Sequence, residues 1–522
     1  MTKISVEQAL QKAKTHIKNG ETYEAKQLYK TVLLTFPRNK RAQLGLDSLK
    51  KIQKNNFDDS PAQSIIQELV NLYNQRQLSA TVALATNLIK QYPNVYILWN
   101  ILGAANQALG RAGEATAAFK KVTELNPTYS EGFNNLGASF QAQGELKQAI
   151  EAYSEALFLD PNYIEAYNNK GSALKEQGNF AEAMTVYQQA NSIKPESAET
   201  YFGLGNIFQE QRRFEEAVVF FGKALRFNPK YAEAYNNMGH ALHSLGKLED
   251  AIGSFNKALL IKPNHAIAHN NLGNALHGLG KLDEAISAYN KALFHKANYP
   301  EAYHNLGKSL KHQGKLDEAI SAFGKALSLK PDNAEVLNSL GVALKEQGKL
   351  NEPIEAYKKA LSIKPDYLDA YYNLGIALSE QGKFTAAINT YNAALSIKPD
   401  YVKAHEGLSF AFLNIGRLEE GLNEYEWRWK NSTNLSRKRQ FSQPLWDGQK
   451  RLKGKTILLW CEQGVGDTIR WSSCLSLISS LAQKCILECP QKLVPLLTRS
   501  FPNIEIRPED RSQDRLRNEF DF

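Results

Sequence analysis

Asparagine recurs in this chain at places where a helix gains nothing from it. Asn135, Asn169, Asn237, Asn271, Asn305 and Asn373 are separated by multiples of 34 residues. An asparagine side chain competes for backbone hydrogen bonds, so a row this regular needs a use. A carboxamide offers both a donor and an acceptor. It can therefore pair with the N–H and C=O of an extended peptide, reading its backbone and not its sequence. Bonds between neighbouring repeat units are the other use open to such amides. Ile101, Gly203 and Ser339 interrupt the row. Beside it fall His240 and His243, Asn274 and His277, and Lys308 and Lys311. This neutral-to-basic set favours acidic or hydroxyl-rich peptide over basic peptide by charge complementarity.

A second chemical signal lies near the C-terminus, where Gln463-Gly464-Val465-Gly466-Asp467 follows an apolar run. A glycine loop between strand and helix presents backbone N–H groups to an anion. The third glycine of G-x-G-x-x-G is missing, as is the lysine motif of a triphosphate loop. Dinucleotide and nucleoside-triphosphate binding are therefore disfavoured.

The elements that position the asparagines follow from the same period. Glycine recurs nine times, at Gly103, Gly137, Gly171, Gly205, Gly239, Gly273, Gly307, Gly341 and Gly375. Four residues before it the chain is usually aromatic, sixteen after it always so, from Phe119 to Tyr391. Alanine follows at twelve and nineteen and proline at twenty-four, with few exceptions. A period of this length marks one supersecondary unit that buries its apolar face only by stacking on its neighbours. The spacing predicts pairs of antiparallel helices. Glycines such as Gly144 and Gly280 end each first helix, and prolines end each second one. Pro353 falls in the first turns of its helix, where a missing N–H costs little.

This pattern resembles the tetratricopeptide repeat, with nine copies over residues 96–401. The resemblance implies an all-α solenoid, a right-handed superhelix whose concave groove holds extended peptide. Weaker copies extend it. A degenerate repeat with a basic helix occupies 1–54, where residues 6–39 keep Ala25, Tyr29 and Pro37. Another lies at 62–95, and a capping copy at 402–430 has Ser409 at the glycine position. The asparagine row is similar to the ladder of the O-linked N-acetylglucosamine transferase superhelix, which implies a peptide-holding role for the six asparagines.

Beyond a basic linker at 431–455 the grammar becomes α/β. Residues 456–460, 485–489 and 504–507 read as strands, with helices over 467–482 and 491–500. This alternation predicts a parallel sheet. The segment GKTILLWCEQGVGDTIRWSSCL resembles the start of the heptosyltransferase group of GT-B glycosyltransferases, found after such repeats in bacterial proteins. That resemblance implies a partial Rossmann-like domain at 456–522, with Gly464 and Gly466 bordering an acceptor cleft and Asp467 as the candidate general base. The donor-binding half of such an enzyme has no counterpart before Phe522. The expectation is a truncated domain that does not transfer glycosyl groups alone, needing a sugar nucleotide only if that half is present. Without it, no cofactor is expected.

Composition narrows the rest. The charge is +9, concentrated in residues 1–54 and 437–455, so the remainder is net negative. Basic ends of this kind can touch membranes or nucleic acid, but no nucleic-acid motif accompanies them. Cys461, Cys474, Cys485 and Cys489 contain no C-x-x-C pair and no histidine follows His405, which speaks against a zinc site. They read as buried free thiols, with Cys485 and Cys489 on one strand face. The N-terminal stretch lacks an apolar signal segment, and Ile457–Cys461 is too short to span a bilayer. The expectation is a cytoplasmic scaffold whose partner is a protein or extended peptide, with no metal, no membrane span and no specific nucleic acid, and with room for a homodimer.

Overall fold

The computed structural model of the chain describes residues 5–18, 21–54, 63–430, 439, 441–446, 448–461, 465–510 and 520–522. It divides into two compact units, Met1–Ser309 and Leu310–Phe522.

In the first unit the 34-residue period becomes a repeated helix pair. Helix A has 13 residues, as in Ala232–Ser244, and helix B has 14, as in Leu248–Ile261. Between them the chain passes through a left-handed residue, for which glycine carries no steric penalty. Gly144, Gly246 and Gly280 have φ of 74 to 76°. Arg76 and Arg212 stand at this same repeat position with φ of 62° and 60°, a conformation that costs an ordinary side chain about 1–2 kcal/mol.

The repeat glycine and the aromatic sixteen residues later form one joint. A Cβ on Gly239 would sit 2.6 Å from the Phe255 ring, and one on Gly137 2.6 Å from Tyr153. Phe119, Tyr153, Phe221, Phe255 and Tyr289 are all buried. The ring fills the volume that the missing methyl leaves, so helices A and B approach closely. The aromatic position four before the glycine has a polar duty as well. Trp99 Nε1 donates to the Pro93 carbonyl at 2.9 Å, and His269 Nε2 lies 2.9 Å from that of Pro263.

The N-terminal helices Val6–Lys18, Thr22–Thr35 and Lys40–Lys54 share a core of Leu10, Ala13, Tyr29 and Leu49. Lys14 Nζ and Arg41 Nη2 donate to the Leu159 carbonyl at 2.7 and 3.2 Å. Leu159 ends helix Leu146–Leu159, and cations stabilise such carbonyl ends. Part of the basic excess at this end therefore serves an internal cap. The degenerate copy at 62–95 also forms a helix pair, Gln63–Asn74 and Leu78–Gln91.

In the second unit the pairs continue through Val402–Asn414 and Leu418–Tyr425. Pro353 shortens its helix. Helix Glu352–Ile363 begins two residues later in the repeat than Leu316–Leu329, and Leu350 is left exposed. Ser409 replaces the repeat glycine without loss, because its buried hydroxyl donates to the Gly421 carbonyl at 2.7 Å. His405 stacks on Trp427 with ring centroids 3.6 Å apart, and its Nδ1 meets the Glu424 carboxylate.

The α/β segment has three parallel strands in the order β1 (Thr456–Trp460), β2 (Lys484–Cys489) and β3 (Glu505–Pro508). Three strands are too few to define a Rossmann-like half. The helix expected over 467–482 is interrupted: Val465–Trp471 and Leu475–Leu481 flank a 3-10 turn at Ser472–Cys474. Ser472 Oγ donates to the Ile469 carbonyl there, the kind of local bond with which serine competes against helix. The helix expected over 491–500 opens as a 3-10 turn, Gln491–Leu493, ahead of a proline in the first turn of Val494–Ser500. The expected basic linker also departs from its reading, since Arg439 is built into the sheet. Its Nη1 lies 2.7 Å from Glu488 Oε2, both side chains 1% exposed, and Arg507 Nε approaches the other carboxylate oxygen at 3.1 Å. Cys485 and Cys489 are buried in one core cluster, where burial raises both thiols to about 11. Cys474 is exposed, against the expectation of burial. No described helix is long and apolar enough to cross a membrane.

Candidate functional site

Each asparagine of the 34-residue row lies in a helix A and reaches the helix A before it. Asn135, Asn169, Asn271 and Asn305 donate through Nδ2 to Oδ1 of Asn100, Asn134, Asn236 and Asn270, at 2.9 to 3.1 Å. Asn237 finds Asn206 at 2.8 Å, because Phe202 stands where the acceptor asparagine would be. In the second unit Asn373 donates to Asn338 at 2.9 Å. Two further bonds, Asn236 to Asn237 at 3.1 Å and Asn270 to Asn271 at 3.5 Å, join the pairs. The result is a chain of six amides, Asn305–Asn270–Asn271–Asn236–Asn237–Asn206. The amides thus take up the bonding between neighbours that the sequence leaves open. The NH₂ of each ladder asparagine carries two protons, and this bond uses one.

A second row sits nearly two turns further along several of the A helices. Gln141 donates to Glu176 at 2.7 Å and Lys175 approaches Glu210 at 4.0 Å. In the second unit Lys311 pairs with Glu346 at 3.0 Å and Lys345 with Glu380 at 3.3 Å. Lys311, expected as a peptide contact, is therefore already engaged. These acceptor residues carry no sequence signal comparable to the glycine row, since Gln, Lys and Glu are ordinary on any helix surface.

The remaining expected contacts fall on the helices of the first unit. Asn274 accepts from the Tyr289 hydroxyl at 2.8 Å, and His277 Nδ1 is 2.7 Å from Ser309 Oγ. Lys308 is exposed and His243 half-buried. His240 reaches solvent, yet the desolvating walls around it, and then His243, hold its pKa below the ordinary value. Glu233, in the first turn of the same helix as His240, is met by Lys262 at 3.0 Å.

Gly464 lies outside the described residues, as do the side-chain surroundings of Gly466 and Asp467, though both belong to helix Val465–Trp471. Among the described residues no group of three or more His, Cys, Asp or Glu side chains could hold a metal ion.

Two tetratricopeptide-repeat models match residues 96–129 and 230–293 respectively, and a TPR-repeat model matches seven windows: 140–178, 171–212, 206–246, 273–314, 309–348, 343–382 and 377–416. The chain belongs to the tetratricopeptide-repeat proteins. Among solved structures it is similar to YrrB, described as a TPR protein with an unusual peptide-binding site, at 27% identity and a TM-score of 0.31, covering 35% of this chain and 95% of that one. It is similar to MamA at 28% identity and a TM-score of 0.29, covering 31% and 94%. The hetero-tetramer Cut9–Hcn1 of the APC/C matches at 15% identity and a TM-score of 0.42, covering 78% and 90%. No curated protein matches the chain.

Proposed function

We propose that this chain is a protein-interaction scaffold that holds an extended segment of its partner along the asparagine face of its first helices. The continuous run of amides from Asn305 to Asn206 carries the reading. Their side chains are part-buried and fixed in place by one another, so a bound backbone would meet donors that need little reordering. His240 and His243 share a helix with Asn237, and Lys308 shares one with Asn305, while the carboxylates of Glu176, Glu210 and Glu233 are met by Gln141, Lys175 and Lys262. A segment rich in carboxylates or hydroxyls suits this face.

The test begins with random-peptide display against the full chain. Enriched peptides are then titrated against the wild type and against His240→Ala/Lys308→Ala. A charge-assisted hydrogen bond is worth about 1.5–3 kcal/mol, so the double variant is expected to bind about tenfold weaker or worse. Equal affinity would remove the face from consideration. Changing Asn237, Asn271 and Asn305 to Ala is a poorer probe, because it also cuts three bonds between repeats, each worth about 0.5–1.5 kcal/mol.

One observation favours a second reading. The parallel order β1-β2-β3 with intervening helices is what the start of a GT-B half would adopt. On that reading the repeats select an acceptor protein, and sugar-nucleotide consumption appears only when a donor-binding half is supplied. Absence of turnover with that half present would discard it.

A further inference from the structure

Within the second unit a cavity of about 560 Å³ opens between the last helices of the solenoid and the small sheet. We propose that it is a binding site for a small uncharged molecule with a planar aromatic ring system, independent of the asparagine face.

The volume falls in the range of small-molecule sites, about 300–1,000 Å³, which are lined mainly by apolar and aromatic side chains with a few polar points. Leu475 and Leu487, both buried, contribute apolar lining, together with Ile478. Three aromatic side chains, Tyr425, Trp460 and Trp471, line it too. Trp471 is 58% exposed, an unusual cost for an indole with no ligand against it. Covering that indole with a ligand would take apolar area out of water, and ring-on-ring contact would add to the gain.

The site is braced before any ligand arrives. Trp460 stands with the Trp429 ring centroid 6.3 Å away and the Arg439 guanidinium 5.7 Å from its own centroid. Arg439 is fixed in turn by the fully buried Glu488. An ion pair buried this deeply is weak evidence for stability. Holding an indole in one orientation is a use for it.

The charge of the ligand follows from the lining. Glu426, the one carboxylate among the described lining residues, is paired with Arg428 at 2.9 Å, and Arg428 also covers the Tyr425 ring at 4.0 Å. Neither charge is left for a ligand. The Thr468 and Ser472 hydroxyls and the Cys461 thiol, which burial keeps protonated, supply the polar points.

The probe is N-phenyl-1-naphthylamine, titrated into the full chain with indole excitation. Saturable binding of one equivalent with energy transfer from tryptophan is expected. Trp471→Ala should weaken it about tenfold, the loss corresponding to about 1.4 kcal/mol, and Ser472→Trp should abolish it by filling the cavity. Both positions are at least partly exposed, and circular dichroism checks that each variant stays folded. Bound probe should also slow alkylation of the exposed Cys474, which lines the cavity. Phe294→Ser, in the first unit, should leave binding unchanged, which excludes the exposed apolar side chain there as the binding site. The proposal is overturned if binding does not saturate, if both cavity variants bind like the wild type, or if Cys474 is not protected. Tighter binding of dodecanol than of the naphthylamine would overturn the aromatic class. None of these outcomes touches the asparagine face, so the two readings fail separately.

Discussion

Two glycines of one repeat should respond to the same substitution with opposite signs. Gly239 lies in helix A, Ala232–Ser244, and Gly253 in its partner helix B, Leu248–Ile261. Alanine is favoured over glycine in a helix interior by about 1 kcal/mol. A Cβ on Gly253 meets nothing within 4 Å, so Gly253→Ala should stabilise by roughly that amount. A Cβ on Gly239 would lie 2.6, 2.8 and 3.0 Å from three carbons of the Phe255 ring. That ring is 1% exposed and cannot swing into solvent. Overpacking of this kind costs about 1–3 kcal/mol, so Gly239→Ala should come out neutral to about 2 kcal/mol destabilising. The two variants are then about 1–3 kcal/mol apart. Solenoids need not unfold in one step, so the measurement is native-state hydrogen exchange of the amides in these two helices, read as local opening free energies. A Phe255→Leu background should remove most of the Gly239→Ala penalty through direct coupling. If Gly239→Ala stabilises as much as Gly253→Ala, the close joint between glycine and ring is not what holds the pair together.

Two other substitutions and one titration test the same core. The buried Tyr357 hydroxyl has no partner, while four other repeats carry phenylalanine at this position. Tyr357→Phe should therefore be neutral or stabilising by up to about 1 kcal/mol. Tyr289→Phe should lose about 0.5–1.5 kcal/mol, because it strips Asn274 of a donor, and thermal unfolding midpoints would show the contrast. Burial raises Tyr391 and Tyr29 from the ordinary 10.0 to about 12. Folding favours their protonated form, so this contribution is intact below pH 10 and lost as pH rises from 10 to about 12. The phenolate absorbance of the wild type minus that of Tyr29→Phe/Tyr391→Phe should appear together with loss of helix across that window. Difference absorbance complete at pH 10 with full helicity would contradict it.

The repeat was legible because its causes are local and recurrent. A glycine under a ring, a left-handed glycine between helices and a proline after them each write one letter at a fixed spacing. Even the conflicts were readable: Pro353 was expected in the first turns of its helix, and only the two-residue loss at the helix start had to be seen. The asparagine row was visible, and its acceptors carry the same period: Asn100, Asn134, Asn236, Asn270 and Asn338 each stand three residues before the repeat glycine, and only Asn206 stands elsewhere in its copy. Arg439 was read as part of a basic linker because its partner Glu488 lies 49 residues away. A single pairing at that distance leaves no periodic trace. Tyr425 and Trp471 line one cavity from either side of that linker, which no spacing rule connects.

The asparagine ladder also has a direction. In the first unit each bond from one ladder asparagine to an asparagine of the preceding repeat runs the same way, the later amide giving its proton to the earlier one, from Asn135 to Asn100 through Asn305 to Asn270. A peptide backbone is a polar ribbon too, since its N–H and C=O groups differ along N-to-C and C-to-N. Laid on a face whose amide donors all point toward the chain's beginning, the two orientations of one segment would not be equivalent. If a partner segment lies there as proposed, the face would distinguish that segment from its reversal with no pocket dedicated to any one side chain.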